Sequence, residues 1–191
     1  MNKKLEFKHF DLRSVKVNSK KGLDVTFFDL TLRNDLLSIS SDSVPHEDFF
    51  ASIDRLKEFM CKSLGLHSGW NFSREHLHSN HEALKIAIDG YKEEVERCNV
   101  SGFKVVGSGD NEGIKITGSL ACDFGSVGLA SPTIKYNELE VNDGEEVFGI
   151  VEEIGKEIWA FIYKGKRDSD LFSSEFSDPI DSGLNNLKVA L

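Results

Sequence analysis

Residues 102–166 read GFKVVGSGDNEGIKITGSLACDFGSVGLASPTIKYNELEVNDGEEVFGIVEEIGKEIWAFIYKGK, and this stretch decides the fold class. Its first half alternates apolar and polar residues between glycine-containing turns, a pattern typical of antiparallel strands. Its second half predicts one amphipathic helix that begins at Asn142 or Asp143 and ends at Gly165. The helix carries an apolar stripe at three- and four-residue spacing: Val147, Ile150, Val151, Ile154, Ile158, Phe161 and Ile162. A stripe this wide needs a sheet to pack against, so the stretch predicts a helix lying on antiparallel strands.

The amino-terminal part of the chain predicts two more strands and a second helix. Residues 5–17 alternate like a strand with a bulge at residues 11–13. Residues 23–33 predict a second strand, and a helix follows with Pro45 in its first turn and Gly65 at its end. Three further strands are expected at residues 95–106, 114–121 and 127–136. The predicted fold class is therefore α+β: an antiparallel sheet of about five strands, in the order β-β-α-insert-β-β-β-α, covered by two main amphipathic helices.

Two stretches depart from this pattern. Residues 66–92 are rich in histidine, serine and asparagine at first, and they predict a variable insert in a single domain that spans residues 1–167. Residues 168–191 interleave acidic residues with isolated apolar ones and cannot bury enough surface to fold alone, so we expect a flexible acidic tail. The alternative is a linear motif that docks on a partner through Leu171, Phe172 and Phe176.

The predicted second strand is apolar on both faces. Val25 and Phe27 share one face, whereas Phe28, Leu30 and Leu32 share the other. A strand of this kind is covered on both sides or packs against another chain. We therefore expect either a second covering layer or a homo-oligomer.

The net charge of −9 is unevenly distributed along the chain. Residues 1–21 carry +5, and the remaining residues carry −14. An acidic body disfavours nonspecific binding to nucleic acid or anionic lipid, but a local basic surface can still bind phosphates. Lysines on an exposed edge strand also serve simply to prevent aggregation, which is the alternative interpretation. The basic residues that are candidates for binding nucleic acid or a protein partner are Lys8, Arg13, Lys16, Lys20 and Lys21.

One histidine cluster has the character of a metal site. His76, His78 and His81 follow one another closely, and imidazole nitrogens are good ligands for zinc or nickel. The cluster lacks a cysteine or an acidic residue at standard spacing, so a polar loop is the alternative interpretation. The glycines of residues 107–113 precede a strand instead of a helix, which argues against a phosphate-binding loop. We therefore expect no cofactor.

The cysteines and the hydropathy bear on the compartment. Cys61, Cys98 and Cys122 are odd in number and far apart, which favours buried reduced thiols over a disulfide framework. The sequence has no uncharged apolar run of membrane-spanning length and no amino-terminal secretory pattern. We expect a cytoplasmic protein that does not associate with membranes.

Four segments carry a resemblance to a known group of proteins: residues 45–56 (PHEDFFASIDRL), 100–103 (VSGF), 113–118 (GIKITG) and 163–167 (YKGKR). Over residues 1–167 the chain resembles uncharacterised bacteriophage proteins of the kind encoded near recombination and single-strand-binding genes. The histidine-rich insert and the acidic tail depart from that pattern. The resemblance implies a small accessory protein in the cytoplasm of an infected host cell, and it assigns no catalytic residue.

These features lead to three hypotheses. The first is a non-enzymatic phage-type accessory protein that binds a macromolecular partner, in DNA recombination or replication, through the basic first hairpin. The second is an acidic inhibitor of a host defence system that acts as a DNA mimic or a sequestering oligomer. The third is a metal-dependent hydrolase that uses the histidine cluster. No nucleophile paired with a histidine can be singled out, so the expectation is a protein without enzymatic activity.

Overall fold

The computed structural model describes residues 6–31, 35–66, 89–90, 92–137 and 141–167, with the backbone alone for residues 141–145. Residues 92–97 are helical, and Phe7–His9 and Gly109–Asn111 form single 3₁₀ turns. The strands are β1 (Phe10–Val17), β2 (Leu23–Asp29), β3 (Asp35–Ser41), β4 (Cys98–Val106), β5 (Gly113–Cys122), β6 (Gly125–Ala130) and β7 (Ile134–Lys135). The main helices are α1 (Glu47–Asp54), α2 (Leu56–Leu64) and α3 (Val141–Lys164).

The strands form one antiparallel sheet. Its order is β3-β2-β1-β4-β5-β6, and β7 pairs with the first residues of β5. Helix α3 contacts α1, α2 and β1, while α1 and α2 contact β4. This arrangement of helices on an antiparallel sheet confirms the predicted α+β class, with six long strands and one short strand instead of about five.

The long helix matches its prediction closely. Val147, Ile150, Ile154 and Ile158 are fully buried in the core, and Gly165 ends the helix with a φ of 69°. Glycine suits this position because left-handed backbone carries no Cβ penalty there. The apolar stripe is thus the face that packs on the sheet, as three- and four-residue spacing requires.

The amino-terminal half differs from its prediction in three strands. The first begins at Phe10 instead of residue 5, because Phe7–His9 form a 3₁₀ turn. The second strand ends at Asp29 instead of residue 33, because the Asp29 carboxylate accepts hydrogen bonds from the backbone N–H (2.8 Å) and the hydroxyl (2.6 Å) of Thr31 and closes a turn. Leu30 therefore lies beyond the strand, and Leu32 lies outside the described residues. The residues facing away from the core within β2 are Asp24, Thr26 and Phe28, so that face is mostly polar. Within its observed bounds β2 is thus not apolar on both faces, and the homo-oligomer stays a prediction.

Strand β3 was not predicted at all. Its sequence, DLLSISS, alternates over only a few residues, and its residues are exposed or half-buried because β3 forms an edge of the sheet. Short edge strands carry a weak apolar signal, since only one side of them is paired and little of them is buried.

The first predicted helix is two helices. The chain breaks at Arg55 between α1 and α2, and Gly65 caps α2 with a φ of 61°. Pro45 is not in the first helical turn: it precedes the N-cap residue His46 and forms an isolated bridge with Arg167. The ring nitrogen Nδ1 of His46 accepts the Asp48 N–H at 3.3 Å, which begins the helix two residues later than predicted.

The strands after the insert also shift. Residues 95–97 are helical, so β4 begins at Cys98. The predicted strand at residues 127–136 is divided into β6 and β7 at Ser131, whose backbone N–H and side-chain hydroxyl both bond Ile116. The predicted bulge in the first strand is confirmed, since the β1–β2 register shifts between Leu12 and Ser14.

Candidate functional site

The sheet has one face that no described helix covers, called here the open face. Alternation along each strand places Val15, Phe103 and Ile116 in the core under the helices and places the neighbouring residues Lys16, Lys104 and Lys115 on the opposite side. All three lysines are exposed.

Pairing between strands brings these lysines together. Ser14 of β1 pairs with Lys104 of β4, and Lys104 pairs with Lys115 of β5. Lys16 pairs with Gly102, which lies two residues before Lys104 on β4. Directly opposite residues have Cβ atoms about 5 Å apart, and diagonal neighbours lie within about 8 Å. The three lysines therefore form one cluster on three adjacent strands, called here the lysine face.

Within the described residues, the lysine face has an acid opposite Lys16 but no ion pair that neutralises its lysines. Lys16, Lys104 and Lys115 make no ion pair or side-chain hydrogen bond with any described residue. The acid nearest in register is Asp24, opposite Lys16, and its carboxylate accepts the Ser40 hydroxyl at 2.6 Å. Like charges placed directly opposite across two strands cost stability. A cross-strand lysine pair without an acidic partner is therefore a site that an anion would stabilise.

The surroundings of the cluster include a further lysine, which has contacts of its own, the Asp24 carboxylate and several hydroxyl groups. Lys135 of β7 pairs with Gly113, and Gly113 shares its face with Lys115. Thr26 pairs with Ser14 at one end of the lysine row, and Thr117 pairs with Gly102 beside Lys16. Hydroxyl donors and ammonium groups are the side chains that contact phosphate oxygens in protein–DNA complexes.

Gly102 permits the close approach of β1 and β4 beneath the lysines. A Cβ atom on Gly102 would lie 2.2 Å from the backbone oxygen of Val15, a distance that real Cβ atoms do not adopt. The β4–β5 register also shifts between Val100 and Gly102. The spacing of Lys16 relative to Lys104 thus depends on a glycine at this position.

The helical layer has the opposite charge and a different organisation. Helices α1, α2 and α3 contain ten acidic and four basic residues, yet many of the acids have a basic partner close by. The ion pairs are Asp54–Lys57, Glu58–Lys62, Glu152–Lys156, Glu153–Arg55, Asp48–Lys166 and Glu157–Lys166. Much of the acidic charge of the helices is therefore neutralised where it lies.

One of these ion clusters joins the start of α1 to the end of α3. The Lys166 ammonium lies 2.6 Å from a carboxylate oxygen of both Asp48 and Glu157. The hydrogen bond from Lys166 lowers the pKa of Asp48, and the hydrogen bonds to Asp48 and Glu157 raise the pKa of Lys166. Glu153 and Glu157 accept hydrogen bonds from Arg55 and Lys166.

The five predicted basic residues are dispersed. Lys16 alone of the five belongs to the lysine face. Lys8 pairs with Glu6 at 2.7 Å, and Lys20 pairs with Asp42 at 2.5 Å. Lys21 is exposed in the β1–β2 turn with a φ of 62°.

Arg13, the fifth of them, is committed to local contacts. Its guanidinium bonds Glu112 at 3.3 Å and the Gly107 carbonyl at 3.3 Å, and it lies 5.7 Å from the centre of the Phe28 ring. A carboxylate oxygen of Asp11 lies 3.6 Å from the same guanidinium nitrogen that bonds Glu112. These contacts hold the β4–β5 turn against β1 and leave Arg13 a structural role.

Lys104 and Lys115 were missed by the sequence analysis. Each stands alone between buried apolar residues, and a solitary lysine in a strand is usual at a solvated surface. The signal that could have found them is the symmetry of the hairpin: two residues equally distant from the turn at residues 109–110 must face each other.

Several predicted sites lie outside the described residues. They are His76, His78 and His81 of the metal hypothesis and Leu171, Phe172 and Phe176 of the tail. Within the described residues, no group of three or more histidine, cysteine, aspartate or glutamate side chains is arranged to hold a metal ion. Within the same residues, no helix is long and apolar enough to cross a membrane.

The chain matches no protein-family model, no curated protein and no solved structure.

Proposed function

We propose that this chain is a non-enzymatic accessory protein that binds DNA through the lysine face. The observation that supports the proposal is the cross-strand pair Lys104–Lys115, which makes no ion pair with a described residue. Lys16 lies beside this pair, with Asp24 opposite it on β2. Ammonium groups held on a sheet contact backbone phosphates, and release of the phosphate counterions drives the binding.

The side chains of the lysine face favour contact with the DNA phosphate backbone over recognition of the bases. Its side chains are ammonium and hydroxyl groups. Phe28, which also faces away from the core, lies under the Arg13 guanidinium. Stacking on exposed aromatic rings is the usual way to hold unpaired bases, and bidentate groups are the usual way to read base pairs. Binding is therefore expected to be strongly dependent on salt and nearly independent of sequence.

A role in DNA recombination or replication, in the cytoplasm of a phage-infected host, belongs to the same proposal. Its support is the resemblance of the four sequence segments to phage proteins of that setting, which agrees with a protein that holds DNA without changing it. A third hypothesis, the metal-dependent hydrolase, depends on histidines outside the described residues and remains a prediction.

The acidic-inhibitor hypothesis is less well supported. A DNA mimic presents carboxylates in rows to a basic partner, and the acidic excess of the helices is in its favour. Six ion pairs neutralise carboxylates in that layer, however, and a neutralised carboxylate resembles a phosphate poorly.

The experiment is a binding titration with fluorescently labelled DNA at several salt concentrations. We compare the wild-type chain with the triple variant Lys16→Ala, Lys104→Ala, Lys115→Ala, using single-stranded and double-stranded DNA of equal length and mixed sequence. The slope of log K against log salt changes by about 0.7 per lost phosphate contact on single strands and by about 0.9 on duplexes. We expect the triple variant to reduce the slope by about 2 on single strands and by about 3 on duplexes, and to weaken binding at low salt at least about tenfold.

A matched control separates local from overall charge. The variant Lys57→Ala, Lys62→Ala, Lys156→Ala removes three lysines from the helical layer and changes the net charge equally. It should leave the salt slope unchanged. The proposal is wrong if the wild-type chain binds neither form of DNA at low salt, or if the control weakens binding as much as the triple variant.

A further inference from the structure

Two cysteines from different layers of the protein meet in the core. Cys61 lies in the last turns of α2, and Cys98 is the first residue of β4. Their Sγ atoms are 3.0 Å apart, and the residues are 0% and 1% exposed. The third cysteine, Cys122, is exposed at the end of β5. The pair thus connects a helix with a strand that are 37 residues apart in sequence.

The environment of the pair keeps it unreactive in the closed fold. Burial and the hydrogen bond with Cys98 raise the pKa of the Cys61 thiol to about 12, with smaller contributions from Glu94 and Glu58. A thiol with such a pKa is almost entirely protonated at neutral pH, and the thiolate is the form that attacks disulfides. These features differ from those of a catalytic dithiol, which is partly exposed and has a lowered pKa.

The geometry nevertheless suits a covalent bond. A disulfide requires the sulfur atoms to approach to about 2.05 Å, which is about 1 Å closer than they lie here. Small side-chain rotations supply a change of this size. The hydrogen bond between Cys61 and Cys98 joins two sulfur atoms, whereas the thiol of Cys122 donates to the Leu120 carbonyl.

We propose that Cys61 and Cys98 are a modification site: they form an intrachain disulfide with a low-molecular-weight disulfide, such as oxidised glutathione, as the oxidant. One cysteine thiolate attacks the oxidant, which forms a mixed disulfide and releases one glutathione thiolate. The second cysteine thiolate displaces the other glutathione. The protein loses two electrons and two protons, and the oxidant becomes two thiols.

The cross-link has two consequences. It closes a loop over residues 62–97 and restricts the unfolded chain, so thermal unfolding should shift upward by about 10 °C. Because both thiols are buried, the first exchange step must wait for local opening of α2 or of the start of β4. Oxidation should therefore be slow in native buffer and faster in low denaturant.

The experiment measures thiols by mass spectrometry in the full chain carrying Cys122→Ser, which removes the exposed competitor. The protein is incubated with oxidised glutathione, then unfolded and alkylated with N-ethylmaleimide. We expect two alkylated cysteines before oxidation, none afterwards, and a digest that contains one peptide joining Cys61 to Cys98. The melting temperature of the same sample should rise and return to its starting value after reduction.

Three controls test whether the disulfide forms within one chain and between these two cysteines. Non-reducing electrophoresis must show a monomer, since a disulfide between chains would overturn the proposal. Recovery of Cys61 and Cys98 as free thiols, or as separate glutathione adducts, after full equilibration in low denaturant would also overturn it. Cys61→Ala and Cys98→Ala, each added to Cys122→Ser, must yield no linked peptide.

Discussion

The helical layer and the lysine face differ in how they treat charge. In the helices, acids and bases are placed in pairs: Glu152 with Lys156, Glu153 with Arg55, and Lys166 between Asp48 and Glu157. On the open face, Lys104 and Lys115 lie directly opposite each other and make no ion pair with a described residue. The first arrangement serves the fold, whereas the second is unfavourable to it.

This difference indicates where function is to be sought. A pair of like charges persists in a stable sheet when the cost is small or when a partner of opposite charge relieves it. Surface ion pairs contribute little to stability, so neither layer depends on charge to fold. Substitutions that affect one layer and leave the other intact test this difference between the helices and the lysine face.

The largest effect is expected in the packing between the layers. Ile154→Ala removes a fully buried side chain of α3, and cavity formation should lower the free energy of unfolding by about 2–5 kcal/mol. Lys104→Ala, on the exposed side of the same sheet, should change it by less than about 0.5 kcal/mol. Denaturant titration of both variants tests this. A similar loss in the two would mean that Lys104 contributes to the core.

The next effect concerns the backbone beneath the lysine face. Gly102→Ala places a Cβ atom 2.2 Å from the Val15 oxygen, so β1 and β4 must separate, at a cost of about 1–3 kcal/mol. Gly128→Ala is the matched control, because a Cβ atom on this β6 glycine meets nothing within 4 Å. It should be neutral or stabilise by up to about 1 kcal/mol. Thermal unfolding distinguishes the two, and equal effects would contradict the close approach.

The sequence predicted the helix-and-sheet class because strong periodicity accompanies burial. Helix α3 shows this best: its stripe, its glycine cap and its length all followed from local pattern. Strand β3 and the break at Arg55 did not, since an exposed edge strand and a helix bend depend on neighbours that a local pattern does not contain.

The candidate site was predictable only in part. Lys16 was identified from the basic amino terminus, but most of its companions in sequence turned out to have acidic partners, such as Glu6 for Lys8 and Asp42 for Lys20. Its neighbours in space, Lys104 and Lys115, come from strands some ninety residues away. Only strand pairing brings them together, and composition contains no information about pairing between distant segments.

A smaller effect should appear in the pH dependence of the free energy of unfolding, through the ion cluster of Asp48 and Lys166 in the helical layer. Because the pKa of Asp48 is lowered in the fold, its contribution to stability is present above the ordinary value of 3.8 and is lost as the pH falls through the lower folded value. Because the pKa of Lys166 is raised, its contribution is present below 10.5 and is lost as the pH rises through the higher folded value. Asp48→Asn should therefore reduce stability between these limits and reduce the acid dependence.

The double variant identifies the cause. If Lys166 is the partner, Asp48→Asn added to Lys166→Met should cost less than Asp48→Asn alone, because the hydrogen bond has already been lost. The measurement is the denaturation midpoint at neutral pH and at several pH values below 3.8. Additive losses in the two variants would show that the two side chains act independently.

The smallest expected change in stability bears most directly on the contrast between the layers. Lys104→Glu replaces the like-charged pair with opposite charges across β4 and β5, so the free energy of unfolding should rise by about 0.5 kcal/mol at low salt while DNA binding falls. Lys115→Glu should do the same. Combining the two restores a like-charged pair, and the gain should disappear although both lysines are gone. If the double variant is as stable as each single variant, the pair repels too weakly to matter, and the unpaired lysines cease to be a sign of function.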